Sequence, residues 1–415
     1  MAIASNITAA NQLSATFVDR DVEKGIAHIG EPSETPLTTL MGGLNYAKGG
    51  NTPENVPGKV GKEECTQQKV EVFERSPLSR TATTAAAVAD TTTTTVVTTT
   101  NANIRIGDVL MNTSQPFGEK VRVYAVDAGG ANLSVRRNLG GTTFQIESGD
   151  VFKVLASAWS ESTEKTTVKT QLVAGRYSNL QITKRGFKIS ESALAIDVIA
   201  KEVNLKSEEQ YVAMVEFKKD IEASAWFNPA LATTTDENAS SLFVASGIIE
   251  TIRGFASIDS SSARALEYDG GAPTEEFFTT QFAEKAFEFG NQTKAMFCDS
   301  RGKSILRNMY KGYQQIEQRT DKFGFRVLEI ETNHGMLEVY SNGSFNTYLP
   351  ETMKGFFCVL DLPYIKYRYL KGRDMRMMSN IQTPGGDYQE HMYISEFGWL
   401  LKNIQHHTIM YPKQS

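Results

Sequence analysis

Cysteine is scarce in this chain: there are three in 415 residues, Cys65, Cys298 and Cys358, and none forms a Cys-x-x-Cys pair. An odd count at wide spacing excludes a disulfide framework and a paired thiolate metal site, and it fits buried thiols in a reducing cytosol. A cationic surplus is also missing, since 43 Lys and Arg stand against 48 Asp and Glu, for a net charge of −5. That balance excludes tight binding by phosphate neutralisation. It does not exclude a container for DNA, because a packed genome must slide past its wall. No apolar run approaches the roughly 20 residues that span a bilayer. The first thirteen residues lack the basic-then-apolar layout of a signal peptide. The expectation is a soluble protein, made and used in the cytoplasm.

Catalytic signatures are absent as well. Gly58-Lys59-Val60-Gly61-Lys62 has glycines and lysines but not the frame of a phosphate-binding loop. No Gly-x-Gly-x-x-Gly follows a strand, and there is no Gly-x-Ser-x-Gly elbow, His-Glu-x-x-His or EF-hand loop. His406 and His407 are expected in one strand, where neighbours point to opposite faces and cannot chelate one ion together. His391 beside Glu390 reads as an ordinary satisfied pair rather than an acid–base couple. Lysine and asparagine are plentiful, yet no pair stands out for an intersubunit isopeptide crosslink. No catalytic residue, cofactor or metal site is expected, and the chain is not expected to be an enzyme.

What is present is a particular order of segments. Residues 1–62 are rich in breakers, with Pro32, Pro36, Gly42-Gly43, Gly49-Gly50, Pro53 and Pro57. Such an arm cannot bury itself, so it is either disordered or laid across a neighbouring surface. Its apolar patch at residues 37–44 favours the second. Residues 68–87 are extended, with Val70, Val72 and Phe73. Residues 90–101, nearly all Thr and Val, read either as low-complexity disorder or as an extended connector. Residues 104–158 read as a small all-β module, with matching turns at Gly107-Asp108-Val109 and Gly149-Asp150-Val151.

Residues 177–189 are extended again, with Leu180, Ile182, Phe187 and Ile189. The odd spacing between the two pairs suggests a bulge near Arg185-Gly186. Paired with residues 70–81, this stretch would make a long ribbon with the β module at its tip. The clearest helix is predicted at 206–227, ended by Asn228-Pro229. An amphipathic helix at 274–289, a strand at 294–298, a helix at 300–310 and a hairpin over 325–340 follow. Strands at 356–362 and 364–370 and one long strand at 390–410 close the chain. No βαβ unit repeats, so the class is α+β.

This order resembles the major capsid proteins of tailed bacteriophages, with the Hong Kong 97-type fold. The residues that carry the resemblance are Glu34-Thr35-Pro36-Leu37-Thr38-Thr39-Leu40 near the N-terminus and Asn179 to Thr183 with Lys188-Ile189-Ser190. Further matches are Lys219-Asp220-Ile221-Glu222, Val359-Leu360-Asp361-Leu362, residues 364–370, and residues 396–407 with Asn403. The resemblance implies an N-terminal arm (1–64), an extended loop or β ribbon (65–98 and 160–189) and an inserted all-β domain (99–159). It further implies a peripheral domain (190–245 and 342–415) with spine helix 206–227, and an axial domain (246–341).

The intersubunit contacts it suggests are Glu34, Pro36, Leu37, Leu40, Val70, Val72, Phe73, Leu180 and Ile182. Copies of the chain would form the hexamers and pentamers of an icosahedral head, assembled in the host cytoplasm. A scaffolding protein and a portal would assist. Packaged double-stranded DNA would be touched weakly and non-specifically, a decoration or cement protein could bind outside, and no membrane is involved. No long charged helix precedes the arm, which implies a separate scaffold or a scaffold domain already removed. Gly42-Gly43 and Gly270-Gly271 are candidate joints for subunits in unlike positions. The rival from another class is a Thr-rich, β-containing surface or adhesion protein.

Overall fold

The structure is a computed structural model. It describes residues 35–41, 60–74, 80–89, 95–100, 104–127, 132–137, 139, 143–161, 174–195, 205–229, 232–235, 241–258, 264–310, 317–320 and 326–413. Two compact units emerge, one made of Met1–Val72 with Arg176–Ser415, the other of Phe73–Gly175. The class is α+β, as the segment order suggested.

The larger unit is built on two sheets. In the first, Gly61–Cys65 lies parallel to Ile365–Leu370, which pairs antiparallel with Tyr388–Leu401, and that strand pairs antiparallel with Gln181–Ser190. Arg376–Met378 adds to the free half of Tyr388–Leu401. The second sheet has seven strands, in the order Ala265–Tyr268, Thr408–Pro412, Phe357–Leu360, Thr293–Cys298, Gly335–Ser341, Arg326–Thr332 and Glu317–Thr320. It takes strands from both sides of the 341/342 boundary read from the sequence. Phe357–Leu360 is buried at every position, as a central strand covered on both faces must be.

The long helix runs from Leu205 to Phe227, 23 residues, or about 34 Å at ~1.5 Å per residue. Its buried face carries Ala213, Phe217, Ile221 and Ala225, each four residues from the last, with Trp226 beside them. That spacing lays one stripe along the helix. Tyr211 lies off the stripe and is more than half exposed. Pro229 follows, and Asn228 fastens the exit by donating to the Ala245 carbonyl and to Gln181 Oε1. The predicted helix over 274–289 contains a π-helical stretch, Phe277–Ala283, before α-helical Glu284–Phe287. Phe278, Phe282 and Ala286 face the core as the pattern required.

Three expectations need correction. Residues 181–189 do not join the ribbon. They form a core strand on Tyr388–Leu401 in unbroken register, without a bulge at Arg185-Gly186. Phe187 and Ile189 enter the main core, while Ile182 sits on the opposite, exposed side of the pleat. The ribbon itself is short, pairing Lys69–Glu74 with Ala174–Asn179. Finally, the single long strand at 390–410 is two strands in different sheets. Asn403 takes a left-handed conformation (φ 48°) and turns the chain through Ile404–His406.

The smaller unit is a closed six-stranded barrel. Its strands run Thr81–Thr84, Thr95–Thr100, Asn132–Arg136, Lys120–Val126, Asp108–Asn112 and Val151–Ser157 in order around the wall. Closure leaves no free sheet edge. The first two strands come from the stretches expected as ribbon and Thr-rich connector, so residues 95–100 are extended. Inside lie Ala82, Val96, Leu110, Val121, Val123, Leu133, Val135 and Phe152. β-branched Thr and Val line such a wall well because they suit a pleated, half-buried surface. Arg137 and Glu119 form a buried ion pair that also holds the Ala89 and Phe144 carbonyls.

Candidate assembly surfaces

Residues 35–41 of the N-terminal segment do not lie open. Pro36–Leu40 forms a short helix with Pro at its start, where the missing N–H costs nothing. Leu37 and Leu40 sit in the main core with Phe217 and Ile221. Glu222, fully buried on the long helix, accepts the backbone N–H groups of Leu37 (3.2 Å) and Thr38 (2.9 Å). It also accepts Trp226 Nε1–H (2.8 Å). Burial raises the Glu222 carboxyl to about 7, against the opposing pull of those hydrogen bonds. Pro36, Leu37 and Leu40, expected to touch a neighbour, are therefore committed to the chain's own core. Apolar side chains on a short helix gain most by filling the nearest cavity. Glu34 lies outside the described residues. In sequence Glu222 follows Lys218, Lys219 and Asp220, charged residues that give no sign of a buried carboxylate. Trp226, four residues on, needed an acceptor for its indole N–H and was the available signal.

The ribbon divides its residues by face. Val70 and Leu180 pack with Leu400, flanked by Val72, Cys65 and Leu370. Phe73 is 71% exposed, and Tyr177 and Ile182 are each nearly half exposed. Lys69 lies over the Tyr177 ring, 4.0 Å from its centroid. Of the expected contact residues, Phe73 and Ile182 present free apolar surface, Val72 is partly buried, and Val70 and Leu180 serve the ribbon's own base.

The densest polar cluster surrounds Asp361. Lys294 Nζ donates to the carbonyls of Ala286 (2.7 Å), Phe289 (2.6 Å) and His406 (2.8 Å). All three ammonium protons are thereby used, although burial draws the group down to about 8. Burial works against the Asp361 carboxylate too. His406 Nδ1 at 3.6 Å, the Asn291 backbone and side-chain N–H groups and the Lys294 charge outweigh it and hold the carboxyl below its usual range. His407 Nδ1 accepts the Asp361 N–H at 3.2 Å, which requires an unprotonated nitrogen. Burial pushes His407 down to about 3. The two histidines were expected back to back on one strand; the turn at Asn403 brings both to Asp361. His391 stacks on Phe187 at 5.1 Å and accepts the Asn380 N–H, rather than pairing with Glu390.

These contacts tie Asn291 and Lys294 to Asp361 and to the turn at Ile404–His406, locking the segments together. Among the described residues no group of three or more His, Cys, Asp or Glu could hold a metal ion. Cys65, Cys298 and Cys358 are free thiols. Among the described residues no helix is long and apolar enough to cross a membrane.

With committed polar groups and an exposed apolar ribbon, the chain has the features of a structural subunit. Residues 5–412 match the family model described as SU10 major capsid protein, and the chain belongs to that family. This is a family of structural capsid proteins and not of enzymes. A major capsid protein of Pseudomonas phage PaMx41 is 24% identical over 282 residues, covering 66% of this chain and 64% of that relative's length. Among solved structures, one from Mycobacterium phage Bobi is similar over 98% of this chain and 99% of its own, at 9% identity and a TM-score of 0.46. One from Gordonia phage Cozz covers 99% of each chain, at 10% identity and a TM-score of 0.44. A satellite phage P4 procapsid including size determination (Sid) protein covers 62% of this chain and 86% of its own, at 13% identity and a TM-score of 0.35.

Proposed function

We propose that this chain is the shell subunit of a tailed-phage head, with copies arranged as hexamers and pentamers around double-stranded DNA. The match of residues 5–412 to a capsid family carries the reading. In the Hong Kong 97-type layout, Leu205–Phe227 is the spine helix and residues 190–245 with 342–415 form the peripheral domain. Residues 246–341 form most of the axial domain. The ribbon Lys69–Glu74 with Ala174–Asn179 lies on a neighbouring copy, and the barrel is an insertion in sequence between its two strands.

The apolar side chains exposed on the ribbon and on the following strand, Gln181–Ser190, support this role. Phe73, Tyr177 and Ile182 stay in water in the single chain, at ~25 cal/mol for each Å² that a neighbour would cover. Interfaces between copies would reach or exceed the ~1,200–2,000 Å² of a standard contact. A scaffolding protein and a portal guide assembly in the host cytoplasm, and a decoration protein binds outside. The net charge of −5 suits a wall that meets DNA weakly.

Substituting Phe73→Asp and Tyr177→Asp together tests the ribbon's part. The expected result is a folded subunit, unchanged in circular dichroism, that yields few or no closed particles by negative-stain microscopy. Normal particle yield would remove the ribbon from the assembly surface.

A further inference from the structure

The barrel builds one turn twice. Ile104-Arg105-Ile106-Gly107-Asp108-Val109-Leu110 and Ile146-Glu147-Ser148-Gly149-Asp150-Val151-Phe152 follow the same pattern. The glycines have φ of +90° and +93°, which favours glycine at both. Each aspartate N–H donates to the carbonyl three residues before it, Arg105 (3.2 Å) or Glu147 (3.3 Å). Each carboxylate returns to accept the N–H of that same residue, at 2.9 and 3.1 Å. The turns lie at opposite ends of the barrel. The Ala158 N–H meets the Gly107 carbonyl, whereas the Thr113 N–H meets the carbonyl of Val151, beside Gly149.

Their cover differs. The Trp159 indole lies flush on Gly107, so close that a Cβ there would sit 2.5 Å from the ring. A Cβ placed at Gly149 would meet no heavy atom within 4 Å. The hairpin tip at the Gly149 end, residues 113–118, carries Phe117, which is 99% exposed with a φ of +53°. A bulky residue in that conformation is strained, and a bare phenyl ring gains nothing in water.

The tip is nevertheless held firmly. Asn112 Oδ1 accepts the Ser114 N–H, Ser114 Oγ accepts the Val151 N–H, and Gln115 Nε2 donates to the Gln145 carbonyl. Gly118 sits so close to the Asn112 carbonyl that a Cβ would lie 2.0 Å from its oxygen. A rigid, exposed aromatic is the usual form of an interface anchor, because little entropy is lost when it docks.

We propose that the barrels of two copies meet end to end about a two-fold axis, Phe117 of each covering the open Gly149 turn of the other. The proposal rests on the capsid reading, in which every copy is surrounded by others. The Gly107 turn with Trp159 is the template within the chain: the same turn already accepts an aromatic ring on its glycine. Knob and seat share one end of the barrel, so two copies related by a two-fold satisfy both at once. Residues 113–118 carry no charge, so they bring no like charge against Glu147 and Asp150 of the seat and give a nucleic-acid phosphate no cation to meet.

The test uses assembled particles of the full chain carrying Phe117→Cys with Ser148→Cys, treated with copper phenanthroline as oxidant. A two-chain band should dominate denaturing gels of particles and be absent from unassembled subunits at equal concentration. A ladder of longer chains would mean a head-to-tail contact and overturn the two-fold; no linkage at all in intact particles would overturn the contact. Phe117→Ala should leave the subunit's Tm unchanged while particles dissociate at lower denaturant concentration, and particles of unaltered resistance would contradict the proposal. Failure of the unsubstituted chain to form particles would instead strike the capsid reading itself.

Discussion

Glu222 shows how one side chain can set the state of a whole segment. Its carboxylate satisfies two backbone N–H groups of Pro36–Leu40 and the indole of Trp226. Glu222→Ala strands three buried donors, so a loss on the order of 3 kcal/mol is expected in chemical denaturation of the subunit. Its pH signature has a definite sign. Burial raises Glu222 from 4.5 to about 7. Between those values the folded chain holds a proton that the unfolded chain releases. The stability from that proton is complete below pH 4.5 and gone above about 7. His407 acts oppositely. Burial lowers it from 6.5 to about 3, so the unfolded chain binds the extra proton in that window. Stability present above pH 6.5 is lost as pH falls toward 3. His407→Asn, which keeps an acceptor for the Asp361 N–H, should flatten the acid limb of a Tm-against-pH curve. An unchanged slope would mean that His407 is charged in the folded chain.

At the scale of elements, legibility followed how local each cause was. The long helix and the hairpin closing at Gly335 were readable because periodicity and turn chemistry lie within one short window. The partner of Gln181–Ser190 was not readable. Its alternation suits any antiparallel neighbour, and only the tertiary core for Phe187 and Ile189 selects Tyr388–Leu401. The burial of Leu37 and Leu40 was hidden for the same reason, since their cavity is made by residues some 180 positions away, as the separation of Thr38 from Glu222 (184) shows. The break at Asn403 was legible only as an Asn inside an apolar strand pattern, a residue type that tolerates left-handed backbone. Asn403→Gly should be neutral within about 0.5 kcal/mol, whereas Asn403→Val should cost about 1–2 kcal/mol. Thermal unfolding of the two variants compares them directly, and equal Tm values would remove the turn as the cause of the strand break.

For the whole molecule, burial is uneven in a telling way. The long helix buries Phe217, Ile221 and Trp226, and the central strand Phe357–Leu360 is covered at every position. The ribbon's Phe73 and Tyr177, Ile182 on the following strand and the barrel's Phe117 are left in water. A subunit with a finished core and exposed apolar side chains is what a shell of identical copies requires, because contact with neighbours then completes it. Electron cryo-microscopy of particles from cells producing the full chain, with its scaffolding partner, tests this most directly. The account predicts closed icosahedral shells in which the ribbon of each copy lies on its neighbour. Folded monomers at high concentration, with no capsomers or shells in any micrograph, would contradict it.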